Sequence, residues 1–83
     1  MIRLLYLINN QILIAKIEEV GADIGEPDCK LTEPFLVNQS SLDLSPWLLD
    51  YTVQNTMMMS SDKILTIVEP NTTLTKKYED LIK

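Results

Sequence analysis

The pair Asn9-Asn10 separates two apolar runs, residues 2–8 and residues 12–20. Asparagine tolerates the left-handed backbone that a tight turn needs, and the aliphatic residues on either side favour extended chain. The opening segment therefore reads as a β-hairpin. In its second strand Ile12, Ile14, Lys16, Glu18 and Val20 share one face, and Leu13, Ala15, Ile17 and Glu19 share the other. Both faces begin apolar and end charged. A half-exposed hairpin would carry less apolar surface than this, so one face is expected to meet a core and part of the other a helix or a neighbouring subunit.

Residues 21–27 hold both glycines of the chain and one of its four prolines, and read as a loop. A third strand, residues 28–37, sets Cys29, Leu31, Glu33, Phe35 and Val37 against Lys30, Thr32, Pro34 and Leu36. Pro34 has no N–H to give a ladder, which places it at an edge or a bulge. After the polar connection 38–41, Ser45-Pro46-Trp47 either caps a single helical turn or begins a strand. The favoured reading is a strand over residues 47–59, broken or bent near Gln54-Asn55. Ser60 to Lys63 form a tight polar turn, and residues 63–68 form a short apolar strand ended by Pro70. Asn71 or Thr72 then caps a helix over residues 71–82, with Leu74, Tyr78, Leu81 and Ile82 on one stripe. Five strands and a terminal helix, without the long crossovers of a parallel sheet, predict a single mainly β domain over residues 1–83, a small antiparallel barrel.

Composition narrows the chemistry. The chain has 83 residues, no histidine and a formal charge of −5. Imidazole general bases, Ser-His and Cys-His nucleophile pairs and histidine metal ligands are absent together. The reading is of a non-enzyme, without cofactor, catalytic residue or metal site. Cys29 is the sole cysteine, so no intrachain disulfide forms and a reducing, cytoplasmic setting is expected. The apolar stretch at the start is five residues long before Asn9, too short for a secretion signal or a membrane span. A chain this small buries only about 60–65% of the surface it exposes unfolded, so support from partner chains is expected. Met57-Met58-Met59 reads as strand packing, with an adaptable protein-binding surface as the alternative. Trp47, Tyr51 and Tyr78, without interleaved cations, read as core or interface rather than base-stacking platforms.

The hairpin, the strand at 28–37 and the segment Met57-Met58-Met59-Ser60-Ser61-Asp62-Lys63-Ile64-Leu65-Thr66-Ile67 together resemble the two-part signature of Sm-like (LSm) proteins. Residues 47–78 resemble in particular the short Sm-like proteins of marine cyanophages. The resemblance implies a strongly bent five-stranded antiparallel barrel of the SH3-like type, here followed rather than preceded by a helix, which would cover an open end of the barrel or extend the subunit interface. It also implies a homo-oligomeric ring of roughly five to seven copies, about five or six being favoured, in which the fourth strand of one subunit pairs with the fifth of the next. The pairing residues would be Val53, Met57, Met58 and Met59 on one side and Ile64, Thr66 and Val68 on the other.

In that family single-stranded RNA is held near the pore. By resemblance the pocket here would comprise Asp28, Lys30, Ser60, Ser61, Asp62 and Lys63. Two positions depart from the family pattern: Asp28 stands where an Asn is usual, and Ser60-Ser61-Asp62 where Arg-Gly-Asn is usual. A carboxylate only accepts hydrogen bonds, and the guanidinium that would stack and pair with phosphate is missing. The resemblance implies an RNA-related role with an acidic pocket. The alternative is a structural or protein-binding ring, a phage-encoded adaptor or scaffold acting in the bacterial host cytoplasm, that binds no nucleic acid.

Overall fold

The computed structural model describes all 83 residues. In chain order it contains β1 (Ile2–Leu7), β2 (Ile12–Glu19), β3 (Cys29–Val37), β4 (Leu44–Pro46), β5 (Thr56–Met59), a 3-10 helix (Ser61–Lys63), β6 (Ile64–Val68) and α1 (Thr72–Leu81). β1 and β2 form the expected hairpin, with Leu4 opposite Ile14 and Leu5 opposite Leu13. Asn10 takes φ +68 at the turn, while the Asn9 side chain accepts from the Gln11 amide at 3.0 Å. These are the two capacities for which asparagine suits such turns.

Every strand pairing is antiparallel, in the order β4-β3-β2-β1-β6, with β5 also paired to β3. The protein is therefore mainly β, an open six-stranded antiparallel sheet with one C-terminal helix. No pairing joins β5 to β6. Yet only residues 60–63 separate the end of β5 from the start of β6. At about 3.3–3.6 Å per residue, that link reaches at most about 18 Å, so the two ends of the sheet lie near one another.

The strand expected over residues 47–59, broken or bent near Gln54-Asn55, needs correction in its first part: β5 begins just after Asn55, but residues 47–55 are not strand. Two short strands replace it, β4 and β5, and residues 47–55 lie outside both. The cause is in β3. Ile14 pairs with Phe35 and Lys16 with Thr32, so Glu33 and Pro34 together oppose the single residue Ala15. This is a β-bulge, which inserts an extra residue and bends its strand. Pro34 thus sits at a bulge in an interior strand. Beyond the bend β3 has two limbs: Phe35 to Val37 pair with β4, and Cys29 to Thr32 pair with β5. No single straight strand can follow both limbs, and the residues between are expelled as a loop. Its ends are tied by Trp47 N–H to the Pro34 carbonyl at 3.2 Å and by Glu33 N–H to the Asn55 carbonyl at 2.6 Å. Leu48, at φ +66, turns the chain inside the loop.

Apolar side chains fill both faces of the curled sheet. Leu5, Leu7, Leu13, Ala15 and Leu31 form the inner cluster, joined by Ile17, Leu36, Trp47, Met59 and Ile64. On the other face Ile14 and Val37 meet Leu74 and Tyr78 of α1, flanked by Ile2, Leu4, Ile12, Phe35, Leu44 and Ile82. The two-sided apolar character of β2 is explained by this arrangement: one side lines the interior and the other seats the helix. Burying an aliphatic side chain such as Leu13 completely is worth about 1.5–3 kcal/mol. α1 begins where the sequence indicates, with Asn71 accepting from the Leu74 amide at 2.8 Å. Leu81, expected on the buried stripe, stays half-exposed beside an open cleft lined by Asp43 and Leu44.

Candidate functional site

Two loops meet at Asp28. The first, residues 20–28, is closed by Val20 N–H donating to the Asp28 carbonyl at 3.0 Å and carries Gly25 at φ +88. Pro27 limits the backbone immediately before Asp28. The second is the link from β5 to β6, where Ser61–Lys63 make one turn of 3-10 helix. Ser61 donates twice to Asp28, from its amide to Oδ1 and from its hydroxyl to Oδ2, each at 2.7 Å. The Asp28 carboxylate thereby satisfies a free N–H at the start of the short helix, a position where negative charge is favoured. The Ser61 hydroxyl first, and its amide second, hold the Asp28 carboxyl below its ordinary titration range.

Around this clasp lies a shallow cavity of about 200 Å³ lined by Gly25, Glu26, Asp28, Ser60, Ser61 and Asp62, with no apolar residue. Four of the six residues expected in the pocket are therefore brought together: Asp28, Ser60, Ser61 and Asp62. The two lysines are not. Lys30 reaches Glu18, with Nζ 3.4 Å from the carboxylate. Lys63 contributes its backbone, the carbonyl accepting from Ile8 N–H at 3.1 Å. Three carboxylates line the cavity and no cation does. Its chemistry is that of a hydrogen-bond acceptor with a negative field, which opposes phosphate. No group of three or more Cys, Asp or Glu converges in a way that could hold a metal ion. A larger open groove of about 850 Å³ between α1 and the β1–β2 hairpin is lined by Lys16, Lys76 and Lys83 but also by Glu79 and Asp80, and so favours neither sign of ligand.

The family described as "Family of unknown function (DUF6561)" matches the chain over residues 1–83. The chain belongs to the DUF6561 family. No curated protein matches it. In this DUF6561 chain the residues expected to pair between subunits divide into three sets. Met59 and Ile64 pack against the inner cluster and Met57 is half-buried, so these three already serve the fold. Met58, Thr66 and Val68 are exposed on β5 and β6. Val53 is fully exposed but lies in the 47–55 loop rather than on a strand. Leu65 and Ile67, which belong to the same expected pairing strand, residues 64–68, are exposed on β6 as well. Of the aromatic residues, Tyr78 is fully buried and so has no face for base stacking, Trp47 is half-buried against the inner cluster, and Tyr51 is exposed at 87%. No helix of the DUF6561 chain is long and apolar enough to cross a membrane.

Proposed function

We propose that this DUF6561 protein is a ring-forming subunit of the Sm-like type, a strongly bent small barrel whose seam between β5 and β6 is filled by neighbouring copies. The observation that carries this reading is the fate of two strands joined by a tight turn. Such strands ordinarily pair as a hairpin, but here β5 pairs with β3 and β6 with β1, which leaves one free edge on each. Free edges seek strands, and an edge of one kind meeting an edge of another generates a head-to-tail assembly that closes if the rotation permits. Leu65, Ile67, Val68 and Met58 add exposed apolar surface along those same edges. The acidic cavity favours a structural or protein-binding ring over one that holds nucleic acid. Light scattering or sedimentation at micromolar concentration should give a closed species of roughly five to seven copies, and Met58→Lys or Thr66→Pro should dissociate it without unfolding the sheet. A folded monomer of wild type overturns the proposal.

The second reading, RNA binding, is favoured by the meeting of Asp28 with Ser61, because the resemblance implies a pocket built from these two loops. Under that reading wild type binds oligouridylate, and the affinity falls steeply with salt. Under the scaffold reading it does not. Asp28→Asn with Ser60→Arg restores an amide edge and a guanidinium, and should create uridine binding worth about 1–3 kcal/mol per stacked base.

A further inference from the structure

Three elements converge on Glu33. Its amide donates to the Asn55 carbonyl, immediately before β5, at 2.6 Å. Its carbonyl and that of Thr32 lie 2.9 and 3.0 Å from the Tyr78 hydroxyl of α1, which shares its one proton between them. Its carboxylate is 3.7 Å from Lys16 Nζ on β2. Glu33 itself takes φ +53, a backbone region that a residue with a side chain enters only where its surroundings enforce it. Glu33 falls in the bulge, outside the register that pairs Thr32 and Phe35 with β2, and the buried tyrosine donates to its carbonyl and to that of Thr32 beside it. Tyr78 has no exposed surface, and its ring meets Phe35 edge-on at 5.9 Å, so both its hydroxyl and its ring are fitted to the bend.

The bend also decides where β5 lies. β5 hangs only on the limb of β3 that precedes Glu33, whereas β4 hangs on the limb that follows Pro34. α1 is a ten-residue helix with two buried side chains, Leu74 and Tyr78, too short to persist as a helix once unseated. We propose that α1 is a detachable brace: when seated, its Tyr78 hydroxyl holds β3 bent at Glu33 and so fixes β5, and when unseated it releases β5 and the 47–55 loop while the β1–β2 hairpin stays formed. Its consequence for assembly rests on the ring reading above, since β5 supplies one of the two edges. Its consequence for local order does not.

The test is residue-resolved amide hydrogen exchange on the full chain, wild type against Tyr78→Phe, which keeps the ring and deletes the hydroxyl. Exchange at Glu33 and across Thr56–Met59 should quicken about tenfold, the loss expected for one buried hydrogen bond, with the β1–β2 amides unchanged. Leu74→Ala, which loosens α1 without touching the hydroxyl, should reproduce the same regional pattern and decides the matter if Tyr78→Phe fails to fold. A uniform increase over the whole sheet, or faster exchange in α1 with β5 unaffected, overturns the brace. Oligomeric mass measured on the same samples reports separately on the ring: a monomeric wild type sinks the ring reading and leaves the exchange comparison intact.

Discussion

Asp28 and Ser61 stand 33 residues apart in sequence and are joined by two hydrogen bonds of 2.7 Å, so that one carboxylate fastens the loop before β3 to the link between β5 and β6. Because these bonds favour the ionised form, the Asp28 carboxyl titrates below the ordinary value of 3.8 in the folded chain. A group lowered in this way contributes stability that is present above its unfolded value and lost as pH falls through its folded one. Asp28→Asn should therefore melt below wild type at pH 6, and the gap should narrow steadily on acidification below about pH 4. A gap that is constant from pH 6 to pH 3, read by circular dichroism melts, refutes the clasp as a source of stability.

Tyr78 behaves in the opposite sense. Burial pushes its hydroxyl up to about 12, against a smaller opposing effect of a hydrogen bond with the Lys16 backbone and with a further rise from the negative charge of Glu33. A raised acid stabilises the fold fully below its unfolded value near 10, and that contribution is lost between pH 10 and 12. In an ultraviolet titration one of the three tyrosines should ionise late and together with loss of the fold. Tyr78→Phe should abolish the late step.

Substitutions inside and at the edge of the sheet should separate cleanly. Leu13 is fully buried in the inner cluster, and Leu13→Ala should cost about 2–5 kcal/mol in urea unfolding. Leu65 is 58% exposed, and Leu65→Lys should change unfolding free energy by no more than about 0.5 kcal/mol. If the chain forms the proposed ring, the same exposed change should reduce its oligomeric mass. Equal destabilisation by both would place Leu65 in the core and argue against a free β6 edge.

Cys29 is 3% exposed, and its thiol is pushed up by burial first, then by the negative charges of Asp28 and Glu19. Since the thiolate is the reactive form, alkylation by iodoacetamide at pH 8 should be slow in the native chain. It should become fast in urea. Rapid native labelling would mean that β3 opens at its first residue.

The hairpin, the helix cap and the polar turn were legible because each depends on neighbours in sequence: Asn10 for its positive φ, Asn71 for a bond three residues on, Ser60 to Lys63 for a turn. Pro34 pointed to an edge or a bulge, without deciding between them and without showing what the bulge does. That effect depends on Ala15, which Glu33 and Pro34 jointly oppose; within residues 47–59 Gln54-Asn55 marks the break before β5 but not the loss of strand from Trp47 onward. The same holds at the site. The two loops could be placed together by resemblance, yet Lys30 turning to Glu18 and Lys63 acting through its carbonyl are decided by side-chain geometry across strands. The convergence of Asn55 and Tyr78 on Glu33 joins residues 22 to 45 positions apart and left no signal in the sequence.

The loop over residues 47–55 has a consequence for how the chain tolerates change. β4 and β5 each take their register from β3 and not from one another, so the number of residues between them is free to vary without shifting a single strand pair. Lengthening a surface loop costs little, about 0.6 kcal/mol for each doubling. An epitope or a small folded module inserted beside Tyr51 would thus sit outside the packed sheet, and natural length differences within the family are expected to accumulate at this point rather than in the tight links at Asn9-Asn10 or Ser60 to Lys63.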